Sequence, residues 1–228
     1  MPEQREEGTS PETSPETSPA EAKKPTRREE NARATRDVLI ATARELFAAR
    51  GFAGAGIDEI AAGAGVTIGA LYHHFGNKRG LFRAVAEALE AELMERAIAT
   101  GNQQGDSWLG LEAGFLTTLE AGLEPDFRQI ILRDAPNVIG ASEWRAIQDQ
   151  YSMGLLRQVI EAMMGNGIIT AGSPEMVTRS LTSVVWELSV AVGEADDPEA
   201  ARSEAQRLMR RFLASMTAEG FEPADGTG

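Results

Sequence analysis

The chain opens without hydrophobic periodicity and then acquires it. Thr-Ser-Pro recurs at Thr9, Thr13 and Thr17, separated by acids and with no large apolar side chain to bury. Residues 1–30 therefore read as a disordered acidic tail. From Arg33 the spacing is helical: Leu39, Ile40, Ala43, Leu46 and Phe47 fall on one stripe, which Gly51 should stop. A second helix is predicted from Ile57 to Gly63, a third from Val66 to Phe75, and a fourth opening at Asn77, a good N-cap. These short helices make a first compact unit over residues 31–80. Further helices are predicted at 106–122, 126–135, 142–165, 174–194 and 198–218, punctuated by Gly101, Pro125, Pro136 and Gly172. They form a second unit over 81–218, followed by a flexible end at 219–228. No segment alternates like a strand, so the expected fold is all-α with about nine helices.

The stretch "GAGVTIGALYHHF", residues 63–75, could be a glycine-rich phosphate loop or the turn and second helix of a DNA reader. A phosphate loop needs a strand in front of it. The preceding "GIDEIAAGAG" instead places Ile57, Ile60 and Ala61 at helical spacing, so these glycines join helix to helix. The proportions are those of a helix-turn-helix whose second helix starts on a hydroxyl cap, Thr67. Val66, Ala70, Leu71 and Phe75 can pack inward, leaving Thr67, Ile68, Gly69, Tyr72, His73 and His74 outward or at the helix entrance. That surface offers hydroxyl, aromatic and imidazole groups and no acid, which suits phosphates and base edges. Gly69 costs its helix about 1 kcal/mol relative to alanine. Close approach of DNA or packing on a neighbouring helix would each account for it.

Charge changes the picture only once it is divided along the chain. The whole carries −13, but residues 31–80 hold six basic and four acidic residues, against 11 and 23 from residue 81 onward. Lys23, Lys24, Arg27, Arg28, Arg33 and Arg36 lead into the positive segment. A polyanion can be met at that end alone, since the acidic remainder repels it. No cysteine is present, which excludes disulfides and thiolate chemistry, and the two histidines are adjacent on one helix, about 100° apart, so they cannot easily grip one metal. Asp58 and Glu59 could pass for a catalytic pair, but acids in a first helical turn serve the helix dipole. No catalytic residue, metal or cofactor is expected. No apolar run approaches the roughly 20 residues that cross a bilayer, and the start lacks the pattern of a signal peptide, so a cytoplasmic location is expected.

The residues "LFAARGFAGAGIDEIAAGAGVTIGALYHHFGNKRGLF" resemble the DNA-binding domain of TetR-type transcriptional regulators over about residues 37–85. The resemblance implies phosphate contacts from Tyr72, His74 and Lys78, and base contacts from Thr67, Ile68 and Gly69, with His73 a further candidate. It departs at Ala55-Gly56, where the family has a hydroxyl pair that caps helix two and touches phosphate. Arg33 and Arg36 join the DNA set as part of the basic stretch.

In the second unit, the helix after Pro174 has one stripe of Val177, Leu181, Val184, Val185, Leu188 and Val192, with Trp186 and Val190 on its other side. A helix apolar on both faces needs two neighbours. Together with Ala205, Leu208, Phe212 and Met216 of the last helix, Trp186 and Val190 are expected to form a four-helix homodimer seam, as the family uses. Trp108, Phe115, Leu119, Trp144, Tyr151, Met163 and Trp186 are the large side chains available to line a cavity; for each, core packing is the competing role. The function expected is a ligand-responsive regulator, a repressor in preference to an activator, bound to a palindromic site in double-stranded DNA and released by a small apolar or aromatic effector. The rival readings are a helical interaction protein without DNA affinity and a cofactor-binding enzyme using the glycine loop.

Overall fold

The computed structural model describes residues 26–221, so residues 1–25 of the tail expected over 1–30, and 222–228 of the end expected over 219–228, lie outside the described residues. Among the described residues every regular element is helical, and the one extended pairing is an isolated bridge between Ile169 and Thr217. The all-α fold expected from the periodicity is the fold observed.

Helix α1 (Arg27–Gly54) begins six residues ahead of the expected Arg33. The reason is local: Thr26 accepts the Glu29 N–H through its Oγ1, and the Thr26 N–H donates to Glu29 Oε2 at 2.7 Å, a reciprocal cap. Residues 27–30, assigned above to the tail, are thus the first turn of a helix. Gly51 does break the helix, with φ 67 and ψ 174, but a further turn follows it. The break frees the Phe52 N–H, which donates to Asp134 Oδ2 at 2.7 Å.

Helices α2 (Ile57–Gly63), α3 (Ile68–Phe75) and α4 (Lys78–Asn102) lie where the pattern places them. Gly65, with φ 68, closes the turn between α2 and α3 while the Val66 N–H reaches back to the Ala61 carbonyl at 3.0 Å. Thr67 caps α3 by accepting the Ala70 N–H at 3.1 Å, and Asn77 caps α4 by accepting that of Gly80 at 2.8 Å.

Beyond α4 come α5 (Ser107–Ala121), a π-helical turn (Phe127–Asp134) running into α6 (Ala135–Val138), and α7 (Ala141–Gln148). A second π-helical turn (Asp149–Met153) leads into α8 (Gly154–Gly165), and α9 (Pro174–Glu194) and α10 (Pro198–Ala214) complete the chain. Pro136 is not the expected stop: it sits in the first turn of α6, where its missing N–H costs least, and the chain turns instead at Gly140, φ 89. The last helix ends at Ala214 and not at 218, because Thr170 and Ala218 donate to the carbonyls of Met216 and Ile168 and draw the chain out of the helix.

Two apolar cores result. The first joins α1 to α4 with the Phe127–Asp134 turn, α6 and α7, around Phe47, Phe52 and Phe82, whose ring centroids lie 5.1 to 6.1 Å apart. Truncating a fully buried ring such as Phe47 in such a cluster costs about 3–5 kcal/mol. The second joins α5, α8, α9 and α10 around Leu119, Ile160, Leu181 and Met209. Helix α4 also packs along α5, and their backbones touch where Gly101 faces Gly110: a β-carbon on either would lie 2.9 Å from the other's carbonyl oxygen.

Candidate functional site

Helix α3 buries Leu71 and turns a polar and apolar face outward. Thr67, Ile68, Gly69, Tyr72 and His73 are exposed and His74 is half-buried, with Ile68 42% and Tyr72 44% accessible despite their apolar bulk. Both adjacent histidines sit at the end of the helix, their rings 5.7 Å apart, and no group of three potential metal ligands exists among the described residues. Gly69 faces open space: a β-carbon there would meet only Thr67 Oγ1, at 3.8 Å. Packing on a neighbouring helix, one of the two explanations for this glycine, is absent among the described residues.

The cations around α3 divide into two groups. Arg44 is tied to Glu92 and Asp126 at 2.7 Å each, Arg50 to Glu59 at 2.8 Å, and Arg79 to Glu143 and the carbonyls of Val138 and Ile139. These pairs shift their members. Burial opposes the charges of Arg44 and Asp126, yet it is outweighed by the hydrogen bonds of Arg44 to Glu92 and Asp126 and by those that Asp126 accepts from Arg44 and the Phe127 N–H, holding the arginine above and the acid below their ordinary ranges. The hydrogen bond from Arg50 holds the Glu59 carboxyl below its ordinary range. Among the described residues Arg27, Arg28, Arg33, Arg36 and Lys78 make no ion pair with an acid. Arg36 lies over the Phe75 ring at 5.3 Å and Lys78 over the Phe52 ring at 4.7 Å, arrangements that hold a cation without neutralising it. Arg36 and Lys78 thus place unneutralised charge beside the C-terminal end of α3. Lys78 Nζ also lies 3.5 Å from the Ala53 carbonyl. At the departure noted in Ala55-Gly56, α2 has no side-chain cap, but Glu59 accepts the Gly56 N–H at 3.4 Å.

Away from this face, α4, α5, α8 and α9 enclose a cavity of about 530 Å³, open between α4 and α8 where Ile98 and Leu155 are exposed. Its lining is mainly apolar, including Leu93, Met94, Phe115, Phe127 and Val185. Of the large side chains singled out from the sequence, Phe115 lines it. Trp108, Leu119 and Met163 are buried in the second core instead, Trp108 edge-on to Phe221 at 5.4 Å. Tyr151 packs on the first core. Trp144 and Trp186, 6.5 Å apart, border a separate cleft of about 330 Å³ with Arg145, Arg179 and Glu187.

Sequence reasoning missed Glu90, which lines the cavity at 6% exposure. Burial raises its carboxyl from the ordinary 4.5 to about 7. The signal was present: Phe82, Ala86 and Glu90 recur four apart on the inward face of α4. A search restricted to bulky side chains passes over an acid in that register.

On α10 the inward stripe is Ala205, Met209, Leu213 and, just past the helix, Met216. Ala205 and Met216, expected at the dimer seam, are thus enclosed in the chain's own core, because the helix is turned so that its Ala205–Met209 side meets α5 and α9. Leu208 remains 46% exposed, and Phe212, Trp186 and Val190 are partly so. No described helix is long and apolar enough to cross a membrane.

A model described as bacterial regulatory proteins of the tetR family matches residues 39–85, which run from α1 into α4, and one described as the tetracyclin repressor-like C-terminal domain matches 108–216. The chain is 27% identical to the transposon Tn10 TetC protein of Escherichia coli over 190 residues, covering 82% of this chain and 95% of that protein. A TetR-family transcriptional regulator from Pectobacterium atrosepticum superposes with a TM-score of 0.72 at 30% identity, over 88% of this chain and all of the other. A second, from Mesorhizobium loti, shares the fold at 16% identity, with a TM-score of 0.67 over 85% of this chain and all of the other. With one model on the helix-turn-helix and the other on the helices that enclose the cavity, the chain belongs to the TetR family of transcriptional regulators.

Proposed function

We propose that this regulator is a repressor that binds a palindromic operator as a homodimer and leaves it when a small apolar or aromatic ligand enters the cavity between α4 and α8. The observation that carries the DNA half is the outward face of α3: it has no acid, exposes Ile68 and Tyr72, and is flanked by Arg36 and Lys78, neither of which is paired with an acid among the described residues. On this reading Tyr72, His74, Lys78, Arg33 and Arg36 meet phosphates, while Thr67, Ile68, Gly69 and His73 meet base edges.

Helix α4 supports the coupling. It starts at Lys78, beside the reading helix, and its later turns bring Leu93, Met94 and Ile98 to the cavity. The Phe127–Asp134 turn has the same double placement, since Phe127 lines the cavity while Asp134 holds the Phe52 N–H of α1. A ligand releases DNA only by fitting one separation of the two heads better than the other, and a helix common to both sites lets that preference be felt. The seam left open by the buried Ala205 and Met216 would be made by Leu208, Phe212, Trp186 and Val190.

The assignments are tested by sequence selection. Lys78→Ala and Tyr72→Phe should weaken binding evenly across sequences, and Ile68→Ala or Thr67→Ala should alter the preferred motif. A changed motif in Lys78→Ala, or an unchanged one in Ile68→Ala, contradicts them. A dimer that binds no DNA would favour an interaction protein.

A further inference from the structure

Resting on the reading of the cavity as the effector site, we propose that its ligand is a lipophilic monocation whose charge is received by Glu90 and whose apolar body lies among Leu93, Phe115, Phe127 and Val185. The lining supplied by α4, α5, the π-helical turns, α8 and α9 contains two ionisable side chains, Glu90 and Asp106, and neither lysine, arginine nor histidine. Asp106 is already engaged, its Oδ1 accepting the N–H groups of Trp108 and Leu109 at 2.9 and 3.0 Å. Glu90 makes no hydrogen bond or ion pair among the described residues, although it is almost wholly enclosed. A carboxyl largely withdrawn from bulk water without a protein partner is costly to the fold, and the little surface it keeps belongs to the cavity lining, where an incoming group can reach it.

An anion entering this space meets one or two negative groups and no counter-charge. A neutral body gains the apolar contacts but leaves the carboxyl as it was. A cation with an apolar body satisfies both features, and about 530 Å³ is within the range of drug-sized sites. Because burial holds Glu90 near the middle of its titration at neutral pH, an arriving positive charge is sufficient to ionise it.

The test uses the full-length protein and two probes with the same tail and opposite heads, decyltrimethylammonium and decanesulfonate, at micromolar concentration in calorimetry. The parent should prefer the cation by about tenfold or more, since each tenfold requires only about 1.4 kcal/mol. Glu90→Gln should erase that preference by weakening the cation alone, and below pH 7 the parent's affinity for the permanently charged probe should fall while that of Glu90→Gln stays level. Leu156→Trp, which fills the cavity, should weaken both probes. Melting curves of each variant confirm that lost binding is not lost folding. If Glu90→Gln keeps the cation preference while Leu156→Trp abolishes binding, the cavity is an effector site of another specificity and the inference fails alone. If neither variant matters, or the parent binds no cation, the inference is overturned, and in the former case the cavity reading falls with it.

Discussion

Glu90 holds its proton because ionising it would strand a charge among apolar side chains, and that has a consequence for stability. The unfolded chain loses this proton near 4.5, the folded one near 7. Below 4.5 both states are protonated and nothing is lost; as pH rises through the interval the unfolded state is increasingly favoured, and above about 7 the penalty is complete. Glu90→Gln should match the parent at pH 4 and exceed it by about 3 kcal/mol at pH 8, an order-of-magnitude figure from the shift. Urea titrations at the two pH values check this, and equal stabilities at pH 8 would sink it. Gly69 gives the opposite kind of prediction. Nothing in the fold occupies the space its β-carbon would take, so Gly69→Ala should stabilise the protein by up to about 1 kcal/mol. If DNA is what comes close, the same variant should bind its operator more weakly. An alanine that stabilises without loss of affinity removes Gly69 from the interface. At this scale the division of α3 into a buried and an outward face was legible, since helical spacing alone separates Leu71 from Ile68 and Tyr72. The cavity was not, because its walls come from helices distant in sequence and, of the large side chains singled out from the sequence, only Phe115 reaches it.

Several boundaries were legible from a cap or a breaker: Thr67, Asn77, Gly65 and Pro174 mark positions that the structure keeps, although Pro136 does not stop a helix. Others were misread where a tertiary contact or a reciprocal cap decides. The Thr26-Arg-Arg-Glu29 box lies in a segment that composition assigns to the tail, and it extends α1 by about a turn and a half that carries Arg27 and Arg28 beside Glu29 and Glu30. The π-helical turns have no sequence signal that periodicity detects, since one extra residue per turn merely shifts the stripe. Thr26→Ala removes half of the box, so amide exchange over residues 27–30 should quicken about fivefold, the equivalent of about 1 kcal/mol of capping, while the global unfolding midpoint stays in place. Should these cations reach DNA, affinity would fall with it. Unchanged exchange would show that the first turn is held by something other than its cap.

Across the whole molecule, residues 81–228 carry 23 acids against 11 basic residues while residues 31–80 carry a basic excess, so attraction and repulsion should act on the same approach to DNA. Affinity should fall steeply with salt, with a slope reduced by about one for each phosphate-contacting cation removed. Assembly is the other property of this scale. Leu208 is exposed on α10 while its neighbours Ala205 and Met209 fill the core, so Leu208→Glu spares the monomer and charges the proposed seam. Sedimentation should show a folded monomer with specific DNA binding lost; a variant that remains dimeric moves the seam elsewhere. The contact of Gly101 with Gly110 sets a different kind of limit, one on divergence. A single methyl on either glycine forces α4 from α5 at the edge of the cavity, and the far end of α4 carries Lys78 to the reading helix. If the proposed function holds, a descendant that widened its diet of effectors through this crossing would inherit an altered grip on its operator in the same mutational step.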